Sequence, residues 1–101
     1  MTLLATHQCY EVKQVVSPLE KRYEEHFFDM NLYDDMITVK HDKYPITTIF
    51  DISYRRKEEQ GAIGYIYLHT SRGVRTYYIK EEPASFIDAY IQLKATRPEL
   101  Q

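Results

Sequence analysis

Residues 64–80, GYIYLHTSRGVRTYYIK, alternate between two sets of side chains on either side of a short Thr70-Ser71-Arg72-Gly73 segment. A period of two on both flanks of a glycine-bearing turn fits an antiparallel hairpin and little else. The segment suits a type I turn followed by glycine at positive φ, which would cost a residue with a Cβ roughly 1 kcal/mol or more. Alternation assigns Ile66, Leu68, Tyr77 and Ile79 to the core face and Tyr65, Tyr67 and Tyr78 to the other. The chain then changes period. Pro83 follows Glu81-Glu82, which complement a helix N-terminus, and Phe86, Ala89, Tyr90 and Leu93 recur at helical spacing until Arg97-Pro98. One C-terminal α-helix over residues 83-96 is predicted, with an apolar stripe that must lie on a sheet.

The same period marks the earlier strands. Gln8 to Val16 alternates until Ser17-Pro18 interrupts it, because proline has no amide hydrogen for a ladder. Leu19 to Glu25, LEKRYEE, holds good helix formers and reads as helical by propensity. From Tyr23 to Tyr33 period two returns, with His26, Phe28, Met30 and Leu32 on one face. Asp34-Asp35 signals a turn, then Ile37 and Val39, and Tyr44-Pro45-Ile46, frame two short strands around a His41-Asp42-Lys43 tip. Thr47 to Tyr54 enters a fifth strand with Ile49 and Ile52 inward, and Arg55 to Gly61 reads as a charged loop.

A chain of 101 residues corresponds to a single domain, residues 1-101. Its 44% hydrophobic and 28% charged residues lie in the globular range, and ten tyrosines with four phenylalanines favour pleated, half-buried surfaces. The net charge of -2 provides no overall drive toward nucleic acid or an anionic membrane, so no nucleic-acid partner is expected. Cys9 is the only cysteine and cannot form an internal disulfide, which suits a reducing compartment. With no signal-peptide pattern and no long apolar run, a cytoplasmic chain without a transmembrane segment is expected.

The carboxy-terminal half carries a resemblance. YPITTIFDISYR, the strand GAIGYIYLHT, the turn SRG, the strand VRTYYIK and then EEPASFIDAYIQL resemble the small bacterial pleckstrin-homology-like (PH-like) domains over about residues 35 to 96. The resemblance implies a mainly β fold, a half-open barrel of two antiparallel sheets with about seven strands, capped by the helix. It also implies binding of a protein or peptide partner, or of a phosphoinositide headgroup, while the fold itself dictates neither.

Candidate sites follow. A groove between the fifth strand and the helix, bordered by Ile52, Tyr54, Ile87 and Ile91, would accept an extended peptide as an added strand. A homodimer through the same edge is a further mode. For a phosphate or lipid headgroup, Lys13, Lys21, Arg22 and Lys43 would converge at neighbouring hairpin tips, with interspersed Glu11, Glu20, Glu24, Glu25 and Asp42 cancelling much of their potential. Arg55-Arg56-Lys57 is the densest basic run, tempered by Glu58-Glu59, and the interleaved tyrosines read first as cross-strand sheet pairs. His7, His26, His41 and His69 have no HxH or HExxH spacing, and Cys9 near His7 lacks a third partner. No metal, cofactor or catalytic role is expected; the chain reads as a non-enzymatic interaction module.

Overall fold

The glycine turn sits where alternation puts it: β6 (Gly64–Thr70) and β7 (Gly73–Ile79) pair antiparallel from Thr70 opposite Gly73 to Gly64 opposite Ile79. Gly73 has φ +105°, a conformation that L side chains rarely adopt. The computed structural model describes residues 2–56 and 64–98. Before this hairpin come β1 (Leu3–Val16), β2 (Lys21–Tyr33), β3 (Met36–Val39), β4 (Asp42–Pro45), a 3₁₀ turn over Ile46–Thr48 and β5 (Ile49–Arg56). After it comes α1 (Ala84–Thr96).

The seven strands are all antiparallel and run in the order β4-β3-β2-β1-β7-β6-β5. Where two sheets were expected there is one: β1 to β4 and β5 to β7 are joined by a single pair, Tyr10 opposite Tyr78. The ends of the order, β4 and β5, do not pair, so the sheet is half-open. Met30 and Leu32 of β2, Ile37 and Val39 of β3, and Ile66 and Leu68 of β6 are at most 1% exposed. Phe86 and Tyr90 close that core from α1, and burying side chains of this size contributes about 1.5–3 kcal/mol each. Two bonds fasten the helix to the start of β5: the Tyr90 hydroxyl donates to the Ile49 carbonyl at 3.2 Å and Lys94 Nζ to that of Phe50 at 2.9 Å.

Several boundaries differ from those expected. Residues from Lys21 are strand, not helix, because each finds a partner on β1, from Val16 opposite Lys21 to Leu3 opposite Tyr33; long-range pairing overrides local propensity. The first strand starts at Leu3, well before Gln8. Asp42 and Lys43 belong to β4, and the tip is Lys40-His41, with Lys40 at φ 54°. Arg55 and Arg56 are part of β5, while the rest of the expected charged loop, 57–61, lies outside the described residues.

The largest departure is the length of the first hairpin. β7 meets β1 only at Tyr10 and β3 meets β2 only from Met30 to Leu32, so the pairs from Glu11 opposite His26 to Val16 opposite Lys21 project as a two-stranded arm. At about 3.3 Å per residue the arm extends some 20 Å past the sheet, which accounts for a long axis of 56 Å against 29 and 24 Å. Val12, Val16, Leu19 and Tyr23 on it are between 50% and 96% exposed.

This division into core and arm predicts unequal mutational costs. Phe86→Ala should lower unfolding free energy by about 3–5 kcal/mol, whereas Val16→Ala on the arm should change it by less than about 0.5 kcal/mol, as read from urea melts.

Candidate functional site

Alternation along β1 and β2 sends two sets of side chains in opposite directions, and the set that faces away from the core forms a continuous aromatic row. Phe27 of β2 lies 6.2 Å from Tyr10 of β1, Tyr10 lies 5.8 Å from Tyr78 of β7, and Tyr78 lies 5.3 Å from Tyr65 of β6, centroid to centroid. Tyr67 stacks on Tyr65 at 6.3 Å. Lys80 Nζ stands 5.1 Å from the Tyr10 centroid and 5.2 Å from that of Phe27, and its charge is paired with Glu25 at 2.7 Å. Tyr10 is buried at the centre of the row and serves the sheet. The flank is open: Tyr78, Phe27, Val12, Tyr23 and Val16 share this outer face by register and run from 44% to 71% exposed.

A second feature occupies the other side of the sheet, at its open mouth. A cavity of about 750 Å³ lies between β4 and the β6–β7 hairpin and is bordered by Lys43, Arg72 and Arg75, with Asp42 as its carboxylate. None of the three cations forms an ion pair among the described residues. The Tyr44 and Tyr77 hydroxyls meet there at 2.8 Å. Burial, and then the bond to Tyr44, pushes the Tyr77 phenol up, so it stays neutral and can serve as a hydrogen-bond donor. Such a mouth can hold an anion. Arg72 and Arg75 were missing from the sequence-based set because only folding brings their hairpin opposite Lys43.

The four predicted headgroup cations do not assemble. Lys43 stands opposite Thr38, Thr38 opposite Asn31 and Asn31 opposite Thr6, which puts Lys43 about seven residues, or roughly 23 Å, along the strands from Lys13. Both tips point to the same end, but the arm overshoots. On it Lys13 is paired with Glu11 at 3.6 Å and Arg22 with Glu24 at 3.0 Å and Glu20 at 3.8 Å, while Lys21 has no ion pair among the described residues.

In the predicted peptide groove Ile52 is a core residue, 5% exposed, and cannot line a surface; Ile87 packs partly against the core. Tyr54 and Ile91 are 40% and 55% exposed. Two carbonyls at the start of β5 already accept bonds from Tyr90 and Lys94, so an added strand could use only the later part of that edge.

The histidines are scattered. His7 Nε2 lies 3.1 Å from the Glu81 carbonyl, His26 is 3.4 Å from Glu24, and His69 Nε2 is 2.8 Å from Ser53 Oγ across the β5–β6 ladder. Asp51 stands opposite His69 yet accepts from the Ile52 amide at 2.9 Å. The Ser53–His69 pair is a cross-strand hydrogen bond on the outer face of the sheet. Among the described residues no three His, Cys, Asp or Glu side chains gather as a metal site, and no helix is long and apolar enough to cross a membrane.

Cys9 is 1% exposed, and burial, followed by the charge of Asp29, pushes its thiol up to about 12. The unfolded chain releases that proton near its ordinary value of 9.0 and the folded chain keeps it, so stability is full below pH 9 and falls as pH rises toward 12. Thermal melts should show Tm decreasing above pH 9, with a smaller slope in Cys9→Ala; an alkylating reagent at pH 8 should modify Cys9 only after unfolding.

No family model, no curated protein and no solved structure matches this chain.

Proposed function

We propose that this chain is a non-enzymatic, PH-like interaction module that binds a protein partner through its outer face. The observation that carries the reading is the exposed apolar set Val12, Val16, Tyr23, Phe27 and Tyr78, all on one face beside the packed row of Tyr10, Tyr65 and Tyr67. Contiguous exposed apolar surface marks interaction sites, and tyrosine and phenylalanine are enriched where proteins meet. The order of the strands and the terminal helix supports the PH-like part of the reading. The groove bordered by Tyr54, Ile87 and Ile91 is a weaker candidate for the same role, given the carbonyls at its start that are already engaged.

Affinity capture with the whole chain, followed by titration of the recovered protein, tests the reading. Phe27→Ala with Tyr78→Ala should weaken that partner at least tenfold while the circular dichroism spectrum is unchanged; unaltered affinity in the folded double variant would remove the outer face from consideration.

A second reading has its own observation, the cations Lys43, Arg72 and Arg75 around the mouth, which form no ion pair among the described residues. These residues suit a phosphate or headgroup, and the arm cations Lys13, Lys21 and Arg22 do not join them. Co-sedimentation with anionic vesicles should decline with salt and with Arg72→Glu plus Arg75→Glu. Wild-type protein that stays in the supernatant, and equally fails to bind inositol phosphates, would end this alternative.

A further inference from the structure

From Lys21 to Asp29, β2 has β1 on one side and no strand on the other among the described residues. A two-stranded ribbon is marginal in water, and a long exposed strand edge is a template for pairing with another chain. Ser17 N–H donates to the Glu20 carbonyl at 2.9 Å to close the hairpin. Counting along the ladder from that bonded pair, alternation turns the N–H and C=O groups of Lys21, Tyr23 and Glu25 away from β1, toward the open edge.

The sequence of that edge is its own complement. In Leu19 to Phe27, LEKRYEEHF, charge reverses about Tyr23. We propose that the β2 edge pairs antiparallel with the same edge of a second copy of this chain, on a two-fold axis at Tyr23. In this register Arg22 faces the second copy's Glu24, Lys21 its Glu25, Glu20 its His26 and Leu19 its Phe27, while the two Tyr23 side chains meet on the axis. Directly opposed residues share a face, so every pair would be in reach.

The adjacent symmetric registers fail on charge. Centred on Arg22, the pairing sets Arg22 against itself and Glu20 against Glu24; centred on Glu24, it sets Glu24 against itself. Opposite charges directly across a ladder stabilise it and like charges destabilise it, so the Tyr23 register is selected. The bonds it would replace are exposed ones, such as Arg22 with Glu24 and Glu25 with Lys80, and exposed pairs contribute little. An isologous contact of this kind closes on itself as a dimer. It is made by the backbone of the β2 edge, and it brings Tyr23 and Phe27 at the margin of the outer face beside the second copy.

Sedimentation equilibrium of the whole chain tests the inference. Wild-type protein should dimerise reversibly below about 1 mM; Arg22→Glu alone and Glu24→Arg alone should each weaken the dimer at least tenfold. An equimolar mixture of the two variants should dimerise again, because in the mixed pair each substituted position faces its opposite charge. Tyr23→Cys reads the register independently of charge: on oxidation it should form an interchain disulfide, since bonded antiparallel pairs have Cα atoms about 5.5 Å apart, and Gln14→Cys should not. The native thiol of Cys9 is buried and does not compete. A wild-type monomer at every concentration, a mixture no more associated than its components, or equal cross-linking of Tyr23→Cys and Gln14→Cys would overturn it.

Discussion

The Tyr10–Tyr78 pair is the constraint on which the architecture rests. Without it the chain would be a four-stranded meander beside a three-stranded one, each with an uncovered apolar face. The pair brings Cys9, Met30 and Leu32 from the first half into one cluster with Ile66, Leu68 and Ile79 from the second, and α1 covers what the open edge would expose. Because β7 meets β1 at this single position, the rest of β1 is released beyond it. The arm follows directly from the narrowness of the join.

That geometry separates two surfaces of different chemistry. Outside the join, rings from four strands touch in series and their flank is open to partners. Inside the mouth, Lys43, Arg72 and Arg75 surround a cavity with the hydrogen-bonded Tyr44–Tyr77 pair. Lys40 ties the base of the arm to the rest: its Nζ is bonded to Glu11 and stands 4.6 Å from the Phe28 centroid. It does so from a turn in which its own backbone has positive φ, a conformation held by the tight β3–β4 connection.

What could be read from the sequence was whatever local chemistry determines. Gly73 announced its turn, Pro83 its helix, and the alternation of Ile66, Leu68 and Ile79 the core face, and all three are found there. Lys21 to Glu25 misled because neither face of the arm is buried, so no apolar period was present to outweigh helix propensity. The headgroup set is spread out for a related reason. Tips that point the same way need equal hairpin lengths to converge, and the number of pairs between Glu11 and Val16 without a third strand is a long-range property. The mouth, likewise, is assembled by strands far apart in the chain.

The single pair between Tyr10 and Tyr78 also has a consequence in time. On a ribosome β1 to β4 can zip up one after another, each strand meeting the one just made, but Tyr10 must wait for a partner synthesised about 70 residues later. At about 5–20 residues per second that delay is several seconds. For much of that interval the nascent chain presents the β1 edge of its first hairpin and the β2 edge of the arm, together with the unsealed side of its core, to whatever else is in solution. The charges that crowd the arm, set strand by strand among its apolar residues, are then what stands between an unfinished chain and its neighbours.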